Sequence, residues 1–274
     1  MFPQPSSESP QPSDRREFPR ATVLGIPLDA CSEEQLVRTV EAWVDDGDRR
    51  FAVPVNGHLV NLANADRELA EILRHSGLNY ADGQAVVWAA RMLGEPVPGR
   101  LCTTDVIPSL AANWALRGFS VFLLGGTPGV AEDAARLLQT QHPGLKIADT
   151  HHGYFDLQDA TGIVELINRS GAEILLVGLG NPHQEKWVWR HLDALAPNAI
   201  LTCGGLFDWL SGRKRRAPAW MYRNGLEWLY RLLLEPRRLF VRYVVGNPRF
   251  CLLVARELWE SRGRRSDTLR RSPV

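Results

Sequence analysis

The chain has 274 residues, 45% of them hydrophobic and 23% charged, with a formal net charge of +1. These values place it among globular proteins with one large or two small cores and exclude disordered and fibrous classes. Its longest apolar run, around Ala172 to Gly180, is about half of the roughly 20 residues that a membrane-spanning helix needs.

Residues 1–20 are rich in Pro, Ser and charge and have no apolar stretch that would serve as a secretory signal. They are expected to form a disordered arm, and the expected location is cytoplasmic. Short runs rich in Val, Ile and Leu follow at 21–27, 51–55, 78–81, 120–124, 146–148, 173–178 and 199–203, with helical periodicity between most of them. This alternation predicts an α/β fold over residues 21–212: a mostly parallel, Rossmann-like sheet with helices on both faces. Cys31, Cys102, Cys203 and Cys251 are too scattered for a zinc site or a disulfide framework and read as buried free thiols.

From Arg213 the composition changes. Residues 213–274 carry 16 Lys+Arg against 5 Asp+Glu, whereas residues 1–212 carry 16 against 26. This part reads as a basic, amphipathic helical appendage that Pro236 divides into two short pieces. Arg213, Lys214, Arg215 and Arg216 precede Trp220, Tyr222, Trp228, Tyr230, Phe240 and Tyr243, which interleave with Arg223, Arg231, Arg237, Arg238 and Arg242. Aromatics beside arginines suit an anionic membrane surface. Two alternatives stand beside this: the run LEWLYRLLL is apolar enough to pack on the core, and a basic tail also suits nucleic acid.

Parallel sheets bind ligands at the carboxyl ends of their strands. The strand-to-helix junctions are Asn56-Gly57-His58, Asp82-Gly83, the glycine-rich stretch Gly125 to Gly129, the stretch Gly178 to Glu185, and the stretch Gly204 to Asp208. Glycines there let backbone N–H groups approach a diphosphate, and they equally suit any tight turn. Asp82 reads as a ligand-facing carboxylate or as a cap for a helix beginning at Gln84, and Glu185 as a site residue or a first-turn carboxylate. No nicotinamide or P-loop fingerprint is present, which argues against the alternative of another nucleotide-sugar enzyme, such as an epimerase, built on the same sheet. Asp46-Gly47-Asp48 ends an amphipathic helix and reads as solvated, and His151-His152 has no ligand partner at helical spacing, so no metal site emerges.

As an ordered set these junctions are more specific than any one of them. Asn56, Ala81-Asp82-Gly83, Arg100 with Asp105, Leu124-Gly125-Gly126, Gly178-Leu179-Gly180 with Pro182 and Gln184-Glu185, Gly204-Gly205 with Phe207-Asp208, and Arg216-Ala217-Pro218 with Leu226-Glu227-Trp228 resemble the WecG/TagA/CpsF family of bacterial glycosyltransferases. The resemblance implies a peripheral enzyme at the inner face of the cell membrane, acting in cell-surface polysaccharide synthesis. It would move N-acetylmannosamine, its uronic acid or a related hexose from a UDP-sugar to a polyprenyl-diphosphate-linked acceptor, with inversion and without metal or other cofactor.

By the same resemblance Asp82 is the general base, and Arg100 neutralises the diphosphate. Asn56 and Gln184 line the sugar pocket. Asp105, Gly125, Gly126, Gly180, Glu185, Gly205 and Asp208 belong to the substrate site, and Arg231, Arg238 and Arg242 meet the membrane or the acceptor. Nucleic acid is not an expected partner, and self-association into a homo-oligomer is compatible with the reading. Two departures from the family pattern touch the donor site. Pro54-Val55-Asn56 stands where Thr-x-Asn is usual, and Thr103-Thr104-Asp105 where Gly-Ser-Asp is usual.

Overall fold

The structure, a computed structural model, describes residues 18–157, 160–214 and 217–270. Most of the expected arm, and Arg215 and Arg216 of the basic run, lie outside the described residues. The strands are β1 (Arg20–Val23), β2 (Ile26–Asp29), β3 (Arg50–Val55), β4 (Leu78–Ala81), β5 (Ser120–Gly125), β6 (Lys146–His151), β7 (Ile174–Gly178) and β8 (Ala199–Thr202). Six of them form one parallel sheet in the order β4-β3-β8-β7-β5-β6.

The apolar runs behave as buried strands must. Successive residues of β3, β5 and β7 alternate between two cores, one holding Phe51, Val53, Phe122 and Leu175, the other Ala52, Val121, Leu123 and Ile174. The outermost strand β6 has the polar sequence KIADTH and no buried residue, as suits an edge.

The apolar run 21–27 does not enter this sheet. It forms most of an antiparallel hairpin, β1 with β2, turning at Leu24 (φ 52°) and Gly25 (φ 74°). Positive φ at both central residues is the signature of a two-residue type I′ turn, whose twist matches a hairpin. Asp29 anchors the hairpin to the sheet by accepting the Asn79 backbone N–H at 2.6 Å.

Beyond Ser211 the chain forms helices Ala219–Arg223, Glu227–Leu234 and Pro236–Phe240, a π-helical turn Val241–Val245, and helix Gly246–Arg270. Pro236 therefore opens a helix where the sequence reading divides one. It occupies the first turn, where its missing N–H would have had no helical partner. Phe250 and Val254 of the last helix join the core cluster of Leu59 and Val60, and Asn61 Nδ2 donates to the Gly246 carbonyl at 2.7 Å. The Leu24 N–H of the hairpin turn donates to Glu257 Oε2 at 3.0 Å. The same segment leaves Trp220, Leu233, Phe240, Val241 and Leu252 exposed. Among the described residues no helix is long and apolar enough to cross a membrane. All four cysteines are free, and Cys251, expected to be buried, lies exposed on the last helix.

Candidate active site

The carboxyl ends of β3, β4 and β8 and the loop after β7 open into a cleft of about 400 Å³, roofed by residues 225–251. The Asp82 N–H donates to the Val55 carbonyl at 2.9 Å, which ties the end of β4 to that of β3. A Cβ on Gly83 would lie 3.0 Å from the Asn56 Cβ and 3.2 Å from its Cα, so only glycine lets the two loops approach this closely. The approach sets Asn56 and Asp82 side by side in the cleft.

Asp82 does not cap the helix that follows it, whose N-cap is Gly83 without a side-chain bond. Its Oδ1 instead accepts from the backbone N–H and the hydroxyl of Thr103, each at 2.8 Å, and the Tyr80 hydroxyl lies 3.2 Å from the same Thr103 oxygen. Thr103, one of the two departures from the family pattern, thus holds the carboxylate in a fixed orientation. Asn56 caps helix Gly57–Ala63, with Oδ1 accepting from the N–H groups of His58 and Leu59 at 3.1 Å. Its amide nitrogen remains for a ligand.

Gln184 is almost fully buried. Its Oε1 accepts from Gly180 N–H at 3.2 Å and Gly204 N–H at 2.9 Å, and its Nε2 donates to Glu185 Oε1 at 2.7 Å. This side chain pins together the two loops that carry Gly180 and Gly205 to the cleft. Glu185 lies beneath it, fully buried, and also accepts from Asn181 Nδ2 at 2.6 Å. Burial pushes its carboxyl from 4.5 up to about 7 against the pull of these hydrogen bonds.

Four arginines also line the cleft: Arg100 from the core and Arg231, Arg238 and Arg242 from the C-terminal segment. Arg231 donates to Glu227 Oε1 at 2.7 Å and lies over the Trp209 ring at 4.8 Å, while Arg100 stands 3.8 Å from Glu227 Oε2. Burial lowers the Arg231 pKa, but the charges of Glu227, Tyr243 and Asp82 outweigh it and hold the group above its ordinary value. Arg242 is held below its ordinary value by burial, with Arg231 and Arg238 adding to the effect. Burial and the nearby Arg242 push His58 down to about 4, so its imidazole is neutral at physiological pH. This arginine wall thus carries more positive charge than Glu227 neutralises, which suits a multiply charged anion.

The remaining sequence candidates lie outside the cleft lining. Asp105 sits in the first turn of helix Thr103–Arg117. Gly125 and Gly126 serve packing: a Cβ on Gly125 would come 2.4 Å from the Gly178 carbonyl oxygen, and one on Gly126 would come 2.7 Å from Val130. Asp208 pairs with Lys214 at 2.7 Å. Sequence reasoning in turn missed Trp209 as a lining residue and gave His58 and Glu227, named only within motifs, no role of their own, whereas it placed Thr103 at the donor site. The spacing of Glu227 and Arg231, four apart on one helix, was the available signal for that pair. Among the described residues no group of three or more His, Cys, Asp or Glu side chains is placed to hold a metal ion.

Residues 21–264 match the Glycosyl transferase WecG/TagA/CpsF family, nearly the whole chain. The chain belongs to the WecG/TagA/CpsF family. Relatives include the N-acetylglucosaminyldiphosphoundecaprenol N-acetyl-beta-D-mannosaminyltransferases of Staphylococcus aureus strains NCTC 8325 and COL. Each is 29% identical over 228 residues, which cover 82% of this chain and 89% of the relative. The matched region includes the helices that roof the cleft, so core and C-terminal segment belong to the family fold together.

In this WecG/TagA/CpsF glycosyltransferase the buried Glu185 makes stability depend on pH. Between about 4.5 and 7 the unfolded chain ionises this carboxyl while the folded chain keeps it protonated. Its contribution is complete below pH ~4.5 and is lost as pH rises through ~7, roughly 3 kcal/mol in all. Glu185→Gln is expected to flatten this slope in thermal melts and to raise the melting temperature above pH ~7. An unchanged slope would show that the carboxyl is ionised in the fold.

Proposed function

We propose that the protein is an inverting, metal-independent glycosyltransferase that moves N-acetylmannosamine or a related hexose from a UDP-sugar to a sugar hydroxyl of a polyprenyl-diphosphate-linked acceptor. The observation that carries this reading is the position of Asp82 in the same cleft as Arg100, Arg231, Arg238 and Arg242. The names of the S. aureus relatives support both the transferred sugar and the lipid-linked acceptor.

Asp82, oriented by Thr103, takes the proton from the acceptor hydroxyl as that oxygen attacks the anomeric carbon. The bond from that carbon to the UDP oxygen breaks, and UDP leaves with the electron pair. The arginines stabilise the charge that develops on its diphosphate, and guanidinium groups offer paired donors that match phosphate oxygens. Asn56 contributes an amide donor to the sugar, and Gln184 acts as a positioning residue through the Gly180 and Gly204 loops. Asp105, Gly125, Gly126, Glu185 and Asp208 have no ligand contact in this reading.

The C-terminal segment completes the arginine wall, and its exposed apolar side chains beside basic ones suit peripheral docking at an anionic membrane. Residues 213–274 then act as part of the catalytic unit. Because the arginines supply the charge that a divalent ion supplies elsewhere, transfer is expected to continue at the same rate in excess EDTA. A loss of activity restored by Mg²⁺ or Mn²⁺ would overturn the metal-independent step.

A further inference from the structure

Helix Gln84–Leu93 buries Val86, Val87, Ala89 and Ala90 against the core. On its outer face Trp88 is 52% exposed and Met92, one turn further on, 58% exposed. Trp88 lines the same cleft as Asp82. Gly225 lies directly against it: a Cβ there would be 3.5 Å from the far edge of the Trp88 ring and 3.2 Å from Gln84 Cγ. That approach brings Trp228, in the first turn of the next helix, to the same cleft, where it packs on Tyr243 with ring centroids 5.9 Å apart. An exposed tryptophan pair beside an exposed methionine is apolar area left without a partner.

The cleft therefore joins three kinds of lining: the part-buried Asp82 carboxylate, the arginines, and the more exposed Trp88 and Trp228. A prenyl-diphosphate-linked sugar has the same three kinds of part: hydroxyls, phosphates and a hydrocarbon chain. We propose that Trp88 and Trp228, with Met92 beyond them, form a track for the first prenyl units of the acceptor, so that the enzyme reads the lipid as well as the sugar. This rests on the function proposed above. The track is a part of the acceptor site and is separate from the wider membrane-facing surface.

The test uses the full-length protein without vesicles or detergent. Two soluble acceptors carry the same sugar diphosphate, one on a single prenyl unit and one on a farnesyl chain. For the parental enzyme KM for the farnesyl acceptor is expected to be at least about ten-fold lower, the equivalent of burying roughly two methylene groups. Trp88→Ala and Trp88→Ala/Trp228→Ala are expected to abolish this chain-length preference while UDP affinity stays unchanged. Trp88 is half-exposed, so its replacement leaves the core intact, and an unchanged UDP affinity confirms the fold of either variant.

A parental enzyme indifferent to chain length, or variants that keep the preference, would overturn the track. So would variants that lose only binding to anionic vesicles, or only self-association in light scattering, since those results assign the tryptophans to a membrane or to a second copy. Absence of transfer to either acceptor would instead count against the proposed function.

Discussion

Asp82→Asn is expected to lower turnover by ~10²–10⁴, the range for loss of a general base, with UDP affinity and folding retained. The isosteric amide keeps an oxygen able to accept the two 2.8 Å bonds from Thr103, so the loop should not move. What disappears is the capacity to take a proton from the acceptor hydroxyl. The effect should lie in kcat, measured with saturating donor and acceptor, while calorimetric titration with UDP gives the parental affinity. Parental turnover in this variant would reduce Asp82 to an anchor for helix Thr103–Arg117.

Arg231→Met should weaken UDP binding by about 10- to 100-fold, because a hydrogen bond to a charged group contributes ~1.5–3 kcal/mol. A further fall in kcat is expected, since the diphosphate gains charge as the glycosidic bond breaks. Arg231 also holds Glu227 at 2.7 Å and stacks on Trp209; methionine keeps part of the stacking and removes the charge. Arg231→Lys separates charge from shape, as lysine carries the charge without the planar fork and should recover only part of the loss. Titration of both variants with UDP provides the check. Affinities equal to the parent's would remove this arginine from the diphosphate site.

The parallel sheet was legible because its central strands are buried on both sides and so appear as unbroken apolar runs. Ala199–Thr202 forms the central strand β8 within the run 199–203 that the pattern marks. The hairpin at the start was not legible, because its turn is a Leu24-Gly25 pair without the Asn or Asp that usually signals a type I′ turn. Pro236 misled in the opposite direction: a proline reads equally well as an interruption or as a first-turn residue. Among the candidate site residues, those at the ends of β3, β4 and β8 do come together, since strand order alone brings them to one edge. Gly125 and Gly126 follow the same strand-to-glycine pattern but sit beside β6 at the far end of the sheet and pack against Gly178 and Val130. A glycine pair does not reveal whether its missing side chains make room for a ligand or for backbone.

Thr103 shows a further limit. As a sequence feature it was a departure from the family pattern; in the fold it supplies both bonds that orient the Asp82 carboxylate. Its role depends on the chain folding back over a separation of 21 positions from Asp82, which no local spacing conveys. The arginine wall had the same difficulty, because Arg100 and Arg231 meet only through Glu227.

The most direct measurement of the central claim is the anomeric configuration of the product formed from a panel of UDP-sugars and a GlcNAc-diphosphoprenyl acceptor, followed by NMR during a single turnover. A single displacement at this cleft predicts a new glycosidic bond on the acceptor sugar with configuration opposite to the donor's, formed fastest from UDP-N-acetylmannosamine or a related hexose. A product of retained configuration, or hydrolysis of every donor without transfer, would contradict the account.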